Sequence, residues 1–396
     1  MSAALPVAAQ PQRALTAGYD LWLLVAALAL LGLGLVMVGS ASVAIAERQA
    51  GQPYYFLLRQ AAYSGMGLFF GALVLRVPMS AWERLGPVLL LFGLLLLALV
   101  LVPGVGREVN GSSRWLPIGP VNVQASELAK LFMVVFLAGY LVRRGEEVRT
   151  RFVGFLKPGI VLGLAAGLLL LEPDFGAVAV LVATVLGMMF LGGVRLWQFV
   201  VVLALAMVAL AGVALSSPYR LQRLTTFLNP WEDQFNTGYQ LTQALIAFGR
   251  GEWFGVGLGA GVQKLFYLPE AHTDFLFAVL AEELGLFGGL AVLALFAVLI
   301  WRAFAISEAA EAAGQAFAAH LATGLALWMA LQVIISVGVN TGLLPTKGLT
   351  LPLMSYGGSS LVVNCVAVAL LLRIDQELRA PAKKQARAKA RAGENG

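Results

Sequence analysis

Asp274 stands in the stretch LPEAHTDFLFAVLAEELG, residues 268–285, where polar residues give way to an apolar run. A carboxylate at such a boundary meets water on one side and lipid on the other. Partial desolvation favours its protonated form and makes it a better base, while a polar substrate tethered to the bilayer still reaches it. The competing reading is structural: beside Thr273 at a helix start, Asp274 can satisfy the first amides. Glu282 lies about 12 Å further along a regular helix and is turned about 80° away, with Glu283 on the opposite face. Neither makes a close carboxylate pair with Asp274, so a two-carboxylate retaining mechanism is not indicated.

Two other blocks carry candidate chemistry. In GSSRWLPIGPVNVQASELAKL, residues 111–131, Glu127 and Lys130 are three apart on one helical face as the chain enters an apolar run. An ion pair at that depth is expensive, so it marks either a functional site or a lock that closes the bundle. Arg114 and Trp115 offer a guanidinium for phosphate and an indole for a sugar face, or they act as ordinary interfacial anchors. In LLPTKGLTLPLMSYGGSSL, residues 343–361, Lys347 is a phosphate candidate. Ser355, Gly357, Gly358, Ser359 and Ser360 read equally well as close helix packing or as unwound backbone lining a polar cavity. Gly251, Gly255, Gly257, Gly259 and Gly261 follow no strand and precede no P-loop Lys, so they read as an irregular turn.

The elements that must position these residues are membrane helices. The chain has 396 residues, 60% hydrophobic and 12% charged, with a mean hydropathy of +0.84. Its charge-free runs approach the roughly 20 residues that cross a bilayer core. Ten spans are expected, near 21–44, 57–75, 85–102, 126–142, 156–171, 175–193, 196–214, 274–300, 318–340 and 352–373. Positive charge gathers in the intervening segments of one side, at Arg76, Arg84, Arg143, Arg144, Arg149, Arg151 and Lys157, and in a tail with Lys383, Lys384, Arg387, Lys389 and Arg391. Both ends are therefore expected in the cytoplasm. The net charge of +6 reflects topology and anionic lipid rather than nucleic acid, since no folded basic module accompanies it. The first apolar stretch is far longer than a signal-peptide core and reads as a permanent anchor. Cys365 alone forms no internal disulfide, and His272 and His320 are too few for a histidine zinc site.

Two outer segments are long, 103–123 and 216–271, and long loops in compact proteins are usually functional. The second carries too much aromatic surface, including Trp231, Tyr239, Phe248, Trp253 and Phe266, to be a solvated linker. Residues 236–248 suggest a short amphipathic helix in the interface, with Asn236 as cap and Gly249 as stop. No internal repeat is visible, which disfavours the common transporter folds.

Together the three blocks resemble the SEDS family of bacterial cell-wall polymerases, in family order and across essentially the whole apolar region, with the Thr346, Lys347, Gly348 trio similar to its division members. The resemblance implies an all-α polytopic fold of ten transmembrane helices: a cytoplasmic tail over residues 1–18, a membrane domain over 19–374 with a large periplasmic loop at 216–271, and a basic cytoplasmic tail over 375–396. It implies a septal peptidoglycan glycosyltransferase in the bacterial inner membrane that polymerises lipid II with inversion and releases undecaprenyl pyrophosphate. Asp274 falls on the family's essential aspartate. Arg114, Trp115, Glu127, Lys130, His272, Lys347, Ser359 and Ser360 fall on its pattern and are expected at the substrate. Implied partners are a class B penicillin-binding transpeptidase of the FtsI type and the regulators FtsQ, FtsL and FtsB. A divalent cation, Mg²⁺ or Mn²⁺, is expected at the pyrophosphate, with no organic cofactor. Ala125 departs from the family, which has proline there, and the loss is expected to touch only the helix start. A lipid II flippase or a division scaffold are the readings from other classes.

Overall fold

The computed structural model describes residues 18–109, 112–119, 121–195, 227–346 and 348–393, with a few positions between 197 and 212. In chain order the helices are α1 (Leu21–Ala50), α2 (Tyr55–Val74), α3 (Met79–Val100), α4 (Ala125–Thr150), α5 (Phe152–Leu171), α6 (Phe175–Leu191), α7 (Tyr239–Gly251), α8 (Leu276–Ala312), α9 (Ala316–Asn340) and α10 (Gly358–Gly393). Seven of them, α1, α3, α4, α5, α8, α9 and α10, are long and apolar enough to cross a membrane. Nine of the expected spans coincide with described helices; the tenth, 196–214, lies largely outside the described residues.

Burial sorts the helices into an inner and an outer set. In its most apolar stretch α4 is 83% buried whereas α3 is 33% buried, so α4 is a central helix and α3 a peripheral one. Along α3, Val88, Leu91 and Leu95 form an exposed stripe at helical spacing, the face that lipid covers. The starts of α1, the latter part of α8 and α10 are tied at one end of the bundle. There Asp20 caps α1 at Leu23 N, 3.0 Å, accepts from Arg302 Nε at 3.0 Å and lies 3.9 Å from Arg379.

Three elements depart from expectation. First, the all-α reading misses a three-stranded antiparallel sheet, β1 (Arg107–Val109), β2 (Ser112–Ile118) and β3 (Val121–Gln124). Ile118 pairs with Val121, leaving a two-residue connection whose Gly119 has φ 59°, the left-handed geometry that tight hairpins require. The sheet hands directly into α4 at Ala125, with Gln124 at the cap position.

Second, α8 is not continuous: Gly285 has φ 67° and ψ −167°. The glycine-rich segment repairs the break. The carbonyls of Glu282 and Glu283 accept from Val256 N and Gly257 N, both at 3.0 Å, while Leu286 N and Phe287 N donate to the carbonyls of Glu252 and Trp253 at 2.9 and 3.2 Å. Backbone groups freed inside a membrane protein must find partners, and this loop supplies them. A Cβ on Gly255, whose φ is 80°, would lie 2.2 Å from Glu283 O, so the approach depends on glycine. The expected irregular turn is therefore an ordered splint.

Third, α10 begins at Gly358 rather than near 352, because the preceding residues turn on themselves: Met354 N and Ser355 N donate to Leu351 O, and Leu351 N donates to Ser355 Oγ. This turn presses on α1, where a Cβ at Gly34 would sit 2.6 Å from Met354 Cα. Helix α10 also runs through most of the expected tail, to Gly393.

In the 216–271 segment the short helix exists but starts and ends later than read. Asn236 does not cap it; Asp233 does the local work, accepting from Thr237 N at 3.1 Å and from Asn236 Nδ2 at 2.8 Å. The helix passes Gly249 and stops at Gly251, where a Cβ would meet Ala281 O at 1.9 Å. Its apolar face packs on α8, with Phe248 and Phe277 rings 5.9 Å apart.

Candidate functional site

At the end of the bundle opposite the Asp20 cluster, a cavity of about 440 Å³ is lined by α2, the sheet, the starts of α4 and α6, the residues before α8 and the unwound segment before α10. Its wall includes Asp274 together with Arg114, Trp115, Glu127, Asp174 and Glu270. Gly348, Leu349, Thr350, Gly357 and Gly358 complete it. Of the small residues of the last block, Gly357 and Gly358 line the cavity while Ser359 and Ser360 lie in α10, and close packing is served as well, since a Cβ on Gly358 would touch the Tyr63 ring at 2.7 Å.

Asp274 precedes α8, whose cap position is Phe275, and no side chain caps that helix. The capping reading thus fails. Among the described residues nothing donates to the Asp274 carboxylate, although its backbone is held firmly: Asn340 Nδ2 donates to Asp274 O at 2.9 Å, and Ala278 N donates to Asn340 Oδ1 at 3.1 Å. A Cβ at Gly348 would fall 2.9 Å from Asp274 Oδ2, so glycine here leaves the carboxyl room beside the unwound wall. Burial pushes its pKa up to about 7, the neighbouring Glu270 and Asp174 carboxylates add to the rise, and Arg114 opposes it. The result is a carboxyl on a fixed backbone, without a donor among the described residues and poised between its two protonation states.

The other sequence candidates separate into distinct environments. Arg114 is turned onto the α5–α6 connection, donating to Glu172 O at 3.3 Å and Pro173 O at 2.6 Å, with Asp174 4.0 Å away. Glu127 and Lys130 do pair, at 2.9 Å. Lys130 lies under the cavity rather than in its lining, 1% exposed, reaching Gln332 Oε1 at 3.3 Å and standing 5.3 Å from the Trp328 ring. From Gln332 a polar chain continues through Thr350, whose carbonyl accepts from Gln332 Nε2 and whose hydroxyl donates to Ser360 Oγ. Ser359 accepts from Gln124 N at 2.8 Å and ties α10 to β3. His272 is buried between the rings of Phe56 and Tyr356, at 4.6 and 5.5 Å, and burial lowers its pKa. His272, Ser359 and Ser360 thus shape the site from behind its surface. Lys347 lies outside the described residues.

Two acidic residues were missed by reading the sequence. Asp174 lines the cavity, caps α6 at Ala177 N, 3.2 Å, and accepts from Ser126 Oγ at 3.2 Å. Glu172 is fully buried, both carboxyl oxygens lack a partner among the described residues, and burial followed by the Asp174 charge pushes it up to about 8. The signal was the pair of carboxylates in LLLLEPDFG, set where the chain leaves one apolar run and enters the next.

Residues 21–380 match the family model described as "Cell cycle protein", which takes in FtsW, RodA and SpoVE. The chain is 65% identical over 362 residues to a "Probable peptidoglycan glycosyltransferase FtsW" of Nitrosococcus halophilus, covering 91% of this chain and 93% of that one. It is 59% identical over 358 residues to the protein of the same name from Thioalkalivibrio sulfidiphilus, covering 90% of each. Among solved structures it resembles one from work on "Structural coordination of polymerization and crosslinking by a peptidoglycan synthase complex", with a TM-score of 0.75 and 31% identity over 91% of this chain and 98% of that one. The rod shape determining protein RodA of Thermus thermophilus is similar at TM-score 0.68 and 31% identity, with the same coverage.

Proposed function

The chain belongs to the family of cell cycle proteins that takes in FtsW, RodA and SpoVE, and from that premise we propose how its cavity polymerises peptidoglycan. It is a multi-pass membrane peptidoglycan glycosyltransferase of the division type. The observation that carries the mechanism is Asp274: a cavity-lining carboxyl with a fixed backbone, no cap bond and a pKa near neutrality. Asp274 accepts the proton of the acceptor sugar hydroxyl as that oxygen attacks the anomeric carbon of a lipid-linked donor. One in-line displacement inverts the centre, and pyrophosphate departs.

The proposed topology has ten spans, both termini in the cytoplasm, outer loops in the periplasm and a septal location. Its support is the agreement of nine expected spans with described helices, the one-sided positive charge, and the placement of all cavity residues at one end. The proposed crosslinking partner is a class B penicillin-binding transpeptidase, supported by likeness to a structure from a synthase complex that joins polymerization to crosslinking. FtsQ, FtsL and FtsB are proposed as regulators on the strength of the division-type relatives.

Glu127, Asp174, Glu270 and Asp274 give the cavity the hard oxygen chemistry that Mg²⁺ takes. No three metal-ligating side chains converge among the described residues, so the donor set fits a cation held by one or two of these carboxylates and by the substrate's phosphate oxygens. Bound there, the ion supplies charge neutralisation to the leaving group.

The deciding experiment is lipid II polymerisation by the purified chain with its transpeptidase, read as glycan length. Asp274→Asn and Asp274→Ala are expected to fold, to bind lipid II and to lose rate by on the order of 10²- to 10⁴-fold. Substantial chain growth by the Asn variant, with melting behaviour matched to the parent, rejects Asp274 as the base.

A further inference from the structure

A second cavity lies away from Asp274, in the half of the bundle nearest the Asp20 cluster. It is an apolar groove of about 150 Å³ between α1 and α2, floored by α10. Leu24 and Leu28 stand on one bank, Leu68, Ala72 and Leu75 on the other. Gly67 and Gly71 let α2 settle on the floor, since a Cβ at either would meet Cys365 Sγ at 2.8 Å or Ala369 Cβ at 3.4 Å. Leu28 and Leu68 are 46% and 49% exposed, so the groove opens onto the lipid-facing surface. Apolar slots of this size take up hydrocarbon rather than water.

The length of the groove and its two ends identify that hydrocarbon. From Leu75 to Gly67 it follows α2 for about 12 Å, close to the roughly 15 Å that the chains of one leaflet occupy. Its foot is at Leu75, whose carbonyl accepts from Arg373 Nη1 at 3.0 Å. Arg373 is itself paired with Glu377 at 2.9 Å, and Asp20, at the same end of the bundle, already accepts from Arg302. Arg76 follows Leu75, is exposed, and has no carboxylate partner among the described residues. An uncommitted guanidinium at the foot of an apolar slot is suited to an anionic headgroup, the kind held in basic notches between membrane helices on the cytoplasmic side. The blind end is Leu353, which has φ 63° and belongs to the turn that precedes α10. A few residues on, Tyr356, Gly357 and Gly358 line the outer cavity. One short turn therefore touches both cavities.

Taking this end of the bundle as cytoplasmic, as in the topology above, and resting on the polymerase reading, we propose that the groove binds one anionic glycerophospholipid of the inner leaflet. An acyl chain lies along α2, the phosphate sits at Arg76, and the end of the chain abuts Leu353. Filling the groove supports the turn that walls the outer cavity, so the bound lipid raises polymerisation from the opposite side of the membrane. A zwitterionic phospholipid carries its own positive charge and gains less from Arg76.

Native mass spectrometry of the purified full-length chain, given dioleoyl phosphatidylglycerol or dioleoyl phosphatidylcholine, tests the site, and lipid II polymerisation in nanodiscs of the same lipids tests the coupling. The parent should retain one phosphatidylglycerol per chain, and Arg76→Gln should weaken that retention about fivefold, the worth of one basic residue at an anionic surface. Ala72→Trp enlarges an exposed side chain into the groove and should lose the lipid, whereas Val88→Trp, on the exposed stripe of α3, should keep it. Phosphatidylglycerol should raise the parent's polymerisation severalfold over phosphatidylcholine and leave Ala72→Trp unmoved. Equal retention of the two phospholipids, or unchanged retention in both Arg76→Gln and Ala72→Trp, overturns the site. Displacement of phosphatidylglycerol by undecaprenyl phosphate also overturns it, by giving the groove to the substrate's own chain. Binding with no effect on rate overturns the coupling through Leu353. A parent that binds phosphatidylglycerol yet polymerises lipid II under no condition strikes the polymerase reading and leaves the site standing.

Discussion

With its acid form half-populated near pH 7, Asp274 is expected to lose its capacity to accept a proton as the medium is acidified. A base works only when deprotonated, so kcat/KM should rise with pH through about 7 and level off above it, falling about tenfold from pH 8 to pH 6. Burial is the main cause of the raised value and the Glu270 charge the next; Glu270→Gln should therefore move the midpoint to lower pH without abolishing activity. A pH–rate profile of polymerisation checks both, and a midpoint that ignores Glu270 would mean that another group limits the rate. At this scale the sequence was informative where one segment sufficed. Asp274 and the Glu127–Lys130 pair were readable because boundary position and helical spacing are local properties. Asp174 and Arg59 come to the cavity from α6 and α2, and no local pattern links EPDF to LLRQ.

Among the elements, α4 depends on a charge pair that the bundle cannot release cheaply. Lys130→Ala leaves Glu127 buried with an uncompensated charge, and such losses cost about 3–5 kcal/mol. The double change to alanine at Glu127 and Lys130 should cost less than the sum of the singles, measured by thermal unfolding in detergent; strict additivity would show that the two residues act separately despite their 2.9 Å contact. Helix identity was legible from apolar length, and nine of the expected spans fall close to described helices. The break in α8 was not, because an apolar run from Leu276 onward reads as one helix. Only the splint of Val256 and Gly257, reaching from a distant segment, makes a discontinuity at Gly285 affordable. The sheet was hidden for a related reason: its strands are three to seven residues long, and their pairing with one another rather than any run of strand formers defines them.

For the molecule as a whole, the cavity's surplus of carboxylates over guanidinium groups among the described residues is expected to make catalysis sensitive to the cation that accompanies pyrophosphate. EDTA is expected to suppress polymerisation and Mg²⁺ or Mn²⁺ to restore it; full activity in metal-free buffer would mean that protein cations alone carry the leaving group. A different consequence follows from the discontinuity at Gly285. The Asp274 segment is anchored to α9 through Asn340, and its far end is clamped by Lys264 Nζ on Glu283 at 2.6 Å and by Val262 N on Glu282 at 2.9 Å. The lipid-facing part of α8 begins only beyond the break, at Leu286 and Phe287, both exposed. Bilayers of differing thickness make helices tilt to match their hydrocarbon depth. Here the loop that bonds residues on both sides of Gly285 is expected to hold the reacting carboxyl in place when the lipid-facing span is loaded, and polymerisation rates should stay nearly level across lipids of different acyl length. Gly285→Ala, which opposes the left-handed backbone at the joint, should make the same rates depend on membrane thickness.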